Sequence, residues 1–490
     1  MRPHLTRRAL GFALVAAAAA LASGCDREAG GTVEVVVIGD SPAIGDPSQG
    51  RVGMADALLL ASTAQGLVRV DARGQVVPGL AETWNVSDEG LSYIFRLANT
   101  EWPSGRRVTA EQVARLLRKV VAERSKNRLA DALGAIDEIV PMTDRVLEIR
   151  LKAPRPELLQ LLAQPDLALV YRSEEGEGPF RAARDGDVIE LSREVAAPDE
   201  EETRTEVLLL RAAPVEDAVE AFAAGKADLV VGGTFADLPF ARSAELPRRT
   251  LQFDPASGLF GLIPVTNEGL LANPEVRQLL SQAIDRDALV AALAVPGLAP
   301  RATVLEPGLA NIPDPAPQPW VATPLDQRRP MLVAAATRLL GEERPVIRVA
   351  LPGGLGSDLV LGRLRQDWGV IGVSVERADK PSAADLRLID EVAPSNSPAW
   401  FLRGFRCGAA KVCDEQADEL LEGARSTPVL AQRSALLLEA SRRIDAMQLF
   451  IPLAAPIRWS LVSPRISGFA GNRFALHTLT GLEEQLSRED

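Results

Sequence analysis

A chain of 490 residues with 47% hydrophobic and 24% charged side chains has an ordinary globular composition but is too long for one small core, so roughly two to four domains, or a two-lobed body of that bulk, are expected. Its formal charge of −12 disfavours nucleic acid and anionic membrane surfaces as partners, and such a surplus also keeps a protein soluble. Only His4 and His477 are present, so Ser-His-Asp or Cys-His chemistry, or a histidine-rich zinc site, would have to rest almost entirely on His477.

Met1 to Cys25 reads as an export signal. Arg2, Arg7 and Arg8 form a basic start, Ala9 to Ala22 an apolar run, and Ser23-Gly24-Cys25 the small residues before cysteine that mark a bacterial lipoprotein signal. At about fourteen residues the apolar run is short for a bilayer span, which favours cleavage over a retained anchor helix. Residues 1–24 are then the signal and 25–32 a tether lipidated on Cys25. Asp26 resembles the inner-membrane retention signal of Gram-negative lipoproteins, and Arg7-Arg8 leaves the twin-arginine route open beside the general one. With Cys25 assigned to lipid, Cys407 and Cys413 remain. In an oxidising compartment they read as a disulfide worth about 2 kcal/mol, with two buried free thiols as the alternative.

Val33 to Ile38 is a β-branched run that reads as a buried strand, followed by a loop over 39–47 and a helix over Ala55 to Gln65. Leu91, Tyr93, Phe95 and Leu97 then alternate with Ser92, Ile94 and Arg96, which predicts a strand with one buried face, set between turns at 88–90 and 102–105. Thr109 stands three residues before Gln112 with Val113, Leu116, Leu117, Val120 and Val121 at helical spacing behind it, a capping-box start. The whole run from Gly66 to Thr109, GLVR-D-G-VVPGLAE-W-VSDEGL-Y-F-L followed by W-SG-VT, resembles the extracellular solute-binding protein family 5, the peptide- and nickel-binding subunits of ABC importers.

That resemblance implies an α/β, two-lobed periplasmic binding protein fold of type II, of the large cluster with an extra domain, with mixed sheets flanked by helices. Lobe I is expected from 33–50, 178–265 and 460–490, the extra domain packed on it from 51–177, and lobe II from 266–459. Later stretches agree with family motifs. EEGEGPF at 174–180 is similar to its GTGPY turn, and VEDAVEAFAAGKADLVV at 215–231 to its helix-strand unit. PEVRQLLSQAIDRDALV at 274–290 is close to the family's helix signature, where Arg277, Asp285 and Arg286 are expected to cap and pair at a helix junction. Phe450 to Leu453 resembles the family's "yiPl" strand. Between them, Pro154-Arg155-Pro156 ends a strand over 146–151. Residues 188–191 and 206–210 read as paired strands, and the five prolines of 312–324 as an extended connection. The alternation over 331–376 predicts a wound sheet, 413–424 and 428–447 are amphipathic helices, and 459–469 is expected to return to lobe I.

The family's ligand contacts imply where solute would sit. Ser48 and Gln49 fall where members touch ligand, with a solvated turn as the alternative. Peptide-binding members receive an ammonium on an Asp within W-x-x-D-x-x-D-P-x-x-F-L. Residues 388–402 correspond, with Ile389 in place of the Trp and Ser397 in place of the second Asp. Asp390 or Glu391 would keep the cationic anchor, and Asn396 lies in the same run. Trp400, Arg403 and Arg406 either line the cleft, the arginines receiving a carboxylate or phosphate, or form core and solvated rim. No catalytic residue, metal or cofactor is implied. The expected function is a lipid-anchored monomer that closes its lobes on a small-molecule or peptide solute and delivers it to an inner-membrane ABC permease. A non-transport sensor or interaction lipoprotein on the same scaffold is the alternative.

Overall fold

The computed structural model describes residues 32–171, 175–196, 203–341 and 344–484. The leader, Cys25 and all of the tether but Thr32 lie outside them. Val33–Ile38 is the spine of a seven-stranded sheet, ordered Arg181–Asp185, Val188–Ala196, Thr203–Ala213, Val33–Ile38, Leu229–Thr234, Arg458–Val462, Leu251–Phe253. The spine is parallel to both neighbours and apolar on both faces, as a parallel strand covered from two sides must be. Val36 faces one core, while Val33, Val35 and Val37 face another with Leu58 and Leu59 of the helix Met54–Thr63.

A second, five-stranded sheet runs Ser374–Arg377, Val346–Ala350, Leu386–Val392, Gly258–Pro264, Ile451–Ala454. Parallel pairing on one side and antiparallel pairing on the other make it mixed. The chain passes between the two sheets twice, over 254–257 and 455–457. Gly258–Pro264, assigned to lobe I by the sequence reading, pairs along its length with Leu386–Val392 in the second sheet. Arg458, assigned to lobe II, opens a strand of the first. We accordingly place the lobe boundaries at the two crossings.

A separate four-stranded antiparallel sheet, Ala81–Val86, Ser92–Leu97, Val146–Leu151 and Ile136–Thr143, carries its own core with the helix Ala110–Val121. Tyr93, Phe95 and Leu97 are at most 3% exposed, on the face that alternation singles out. Thr109 and Gln112 close a reciprocal capping box, and Gln112 also accepts from the Trp102 indole at 2.8 Å.

The predicted helix over 274–290 is two, Pro274–Ala283 and Arg286–Leu293, with Asp285 capping the second through the Ala288 N–H at 2.9 Å. Arg277 and Arg286 are structural, but they serve backbone carbonyls rather than acidic partners: Arg277 those of Leu271, Ala272, Met447 and Gln448, Arg286 those of Ser281 and Pro452. Burial lowers the Arg286 pKa to about 9, with Arg328 nearby adding to the effect. Pro330 lies inside a helix that starts earlier than the sequence suggests, Leu325–Leu340, where it removes one backbone donor in the second turn.

One apolar cluster runs without a break from Val36, Val230 and Leu461 of the first sheet to Leu262, Val349 and Leu388 of the second. At its edge the helix Leu355–Val370 abuts the turn at Phe235–Ala236, and a Cβ on Gly356 would stand 1.8 Å from the Phe235 carbonyl oxygen. Gly356→Ala must therefore push the helix from that turn, and we expect a loss of about 2–3 kcal/mol in urea unfolding. Gly362→Ala in the same helix meets nothing within 4 Å and should instead gain up to about 1 kcal/mol. Equal effects for the pair would contradict this packing.

Candidate functional site

The strand Leu386–Val392 delivers the chain into a loop over 393–397, the short helix Pro398–Leu402 and the turn Arg403–Phe405. Pro398 suits the first helical position, and Ser397 before it would ordinarily cap. Here the Ser397 hydroxyl makes no cap and donates at 2.8 Å to Glu157 of the extra domain. This face of lobe II, completed by the helices Glu415–Ser426 and Leu430–Ala446, meets the extra domain through paired side chains. Arg425 reaches Asp131 at 2.8 Å and Arg433 reaches Glu157 at 3.2 Å. Gln164 donates to the Pro394 carbonyl at 2.8 Å, and the Asn396 N–H to the Gln160 side chain at 2.8 Å. Between the two walls lies a cavity of about 270 Å³.

Of the residues singled out in the sequence, Trp400, Arg403 and Arg406 line this cavity. Arg403 stacks its guanidinium 4.1 Å from the Trp400 ring centroid and pairs with Glu391 at 3.2 Å, so the core and cleft readings merge: Trp400 is 4% exposed and also forms wall. Arg406 is held by Asp418 at 3.4 Å and Glu422 at 2.9 Å. Cys407 and Cys413 behind it form a disulfide with Cα atoms 5.1 Å apart.

Asp390 and Glu391 are not free to receive a solute ammonium. Arg458 from the first sheet lies 2.8 and 2.9 Å from the two Asp390 carboxylate oxygens, in a pair only 11% and 15% exposed. Burial raises the Asp390 pKa against the pull of that arginine. Glu391 is shared by Arg403 and, at 3.4 Å, by Arg51 of the opposite side. Asn396 borders the cavity-lining Ser395 and Ser397, and its side-chain oxygen is buried with no hydrogen-bond partner.

Ser48 and Gln49 stand apart from this cavity. The Ser48 hydroxyl donates to Asp46 at 2.7 Å and its carbonyl accepts from the Lys126 N–H at 2.9 Å, while Gln49 is exposed, its N–H donating to the Asp46 carbonyl at 3.0 Å and its side chain to the Ser48 hydroxyl at 3.3 Å. The turn is built for itself, with Asp46 as its cap. His477 is a packed residue, 3.2 Å from Asp254 and stacked 4.8 Å from Phe469. Among the described residues no three acids, cysteines or histidines cluster as a metal site, and no helix is long and apolar enough to cross a membrane.

Sequence reasoning missed residues on both walls. Arg155, read only as part of a strand terminator, lines the cavity at 8% exposure, and Glu157, Arg425 and Arg433 line it too. An arginine fixed between two prolines was the available signal, since its backbone is stiff and its direction set.

Residues 75–385 match the family described as bacterial extracellular solute-binding proteins, family 5. The "Probable di/tripeptide-binding protein 5" of Pseudomonas aeruginosa is 24% identical over 479 residues, covering 83% of this chain and 87% of that protein. The structure of the Escherichia coli murein tripeptide binding protein MppA superposes with a TM-score of 0.78 at 18% identity, covering 92% of this chain and 98% of that one. Haemophilus influenzae OppA in complex with the peptide RPPGFSPFR gives 0.76 at 17% identity, covering 92% and 99%.

Proposed function

Since the chain belongs to the bacterial extracellular solute-binding proteins, family 5, we propose that it is a periplasmic receptor that closes on a small solute and hands it to an ABC permease of the inner membrane. The observation that carries the reading is the cavity of about 270 Å³ walled on one side by the extra domain and on the other by lobe II. It falls just below the range of about 300 to 1,000 Å³ usual for ligand sites, and so suits a solute no larger than a short peptide. The peptide-binding names of its relatives support that class.

Two crossings between the main sheets supply the hinge, and ion pairs such as Arg425–Asp131 and Arg433–Glu157 form only when the walls meet. Solute would then favour the closed state through contacts absent from the open one. Members of this family are binding proteins, and we assign no covalent chemistry to this one. Lipid on Cys25 would hold a monomer at the membrane surface.

Native mass spectrometry of the purified protein, followed by thermal-shift screening against short peptides, sugars, opines and metal chelates, tests the proposal. A solute at a hundred times its Kd should stabilise the native state by about 2.7 kcal/mol and raise Tm accordingly. No response to any class would overturn it and leave the sensor reading.

A further inference from the structure

The charges around the cavity are unevenly matched. Six basic side chains line it against three acidic ones. The acids have cations of the chain's own: Glu157 holds Arg433, Asp131 holds Arg425, and Glu422 holds Arg406. Just outside, Asp390 and Glu391 are taken by Arg458, Arg51 and Arg403. Arg155 has no carboxylate partner among the described residues. Its guanidinium reaches only the carbonyls of Pro154 at 2.8 Å and Arg425 at 3.0 Å. Burial, and then the neighbouring Arg433, lower its pKa to about 10 against the pull of Glu157.

Resting on the receptor reading above, we infer that the solute carries an anionic group, a carboxylate in the first instance, that docks on Arg155 in the interface between the extra domain and lobe II, and that a solute ammonium is not required. Glu157 favours the Arg155 charge through space but is itself paired with Arg433, so the buried guanidinium has no direct anionic contact, and a planar carboxylate meets its donor fork directly. The same arrangement ties the anion to closure. Arg155 belongs to the extra domain and Arg425 and Arg433 to lobe II, whose own charges are met across the interface by Asp131 and Glu157. An anion on Arg155 adds a further contact that is complete only when both walls meet. The apolar part of the solute would face Leu161, Leu421 and Leu437.

Matched probes separate the charge requirement from the receptor function. N-acetyl-Ala-Ala carries the carboxylate without the ammonium, and Ala-Ala-amide the reverse. The acetylated acid should raise Tm and bind by calorimetry while the amide does neither, and Arg155→Met, which keeps the length of the side chain, should weaken the acid about 10- to 100-fold. Arg155→Lys, which keeps the charge, should recover part of that loss. Preference for the amide, equal binding of both, or full affinity in a folded Arg155→Met protein would overturn the inference while leaving the receptor standing. If Arg155→Met does not fold, the acid–amide comparison on the unaltered protein still decides. Failure of every solute class in the broader screen would remove both proposals.

Discussion

Arg458→Ala should lower the free energy of unfolding by about 3–5 kcal/mol near neutral pH, because it strands the Asp390 carboxylate in the interior. The arginine donates to both Asp390 carboxylate oxygens, to the Asp390 carbonyl at 3.2 Å and to the Ile457 carbonyl at 2.9 Å. It therefore joins the second strand system to the first at the crossing over 455–457. Burial already raises the Asp390 pKa, and loss of the cation must raise it further. A carboxyl with a raised native pKa binds more protons folded than unfolded over the interval between its ordinary and raised values. Stability is consequently lost as pH rises through that interval and regained as it falls. The Arg458→Ala deficit should be largest at about pH 8 and shrink on acidification, and Asp390→Asn in the same background should restore part of it. A loss below about 1 kcal/mol in urea unfolding, or one independent of pH, would show that the pair does not hold the crossing.

Asp445→Asn should do the opposite and stabilise the protein, by about 2–4 kcal/mol at about pH 8. Asp445 lies in the last turn of Leu430–Ala446, where a negative charge opposes the helix dipole. It is 7% exposed and accepts from the Val304 N–H at 2.8 Å. Burial lifts its pKa from 3.8 to about 7, against that one hydrogen bond. The folded protein thus holds a proton that the unfolded chain releases, and stability should decline as pH rises from about 4 to about 7. Asparagine keeps the acceptor for Val304 without the charge, so the part of the decline that Asp445 causes should vanish and the two profiles should diverge as pH rises. Parallel pH profiles for the two proteins, from urea unfolding at several pH values, would refute the assignment.

How much of this was legible differs from one element to the next. The strand around Tyr93 and Phe95 and the cap at Thr109 were readable because each is fixed by neighbours within a few residues. Gly258–Pro264 was placed with lobe I and not with the second sheet, since a run buried on both faces looks the same whichever partners it takes. The pairing of the site's acids was hidden for a related reason. Asp390 and Glu391 stand where the family resemblance implies a cationic anchor, yet Arg458 lies 68 residues away and Arg51 lies 340. Nothing local announces that a carboxylate is already taken. Arg155 was hidden behind its prolines, whose effect on the backbone is the stronger signal in a sequence.

The order of strands in the seven-stranded sheet also bears on how the chain is made. Leu251–Phe253 touches that sheet only through Arg458–Val462, which lies between it and Leu229–Thr234. Some two hundred residues must therefore be synthesised after the edge strand before it has anything to pair with, and the first lobe stays incomplete until almost the whole polypeptide has left the ribosome. Such long-range pairing is slow to form.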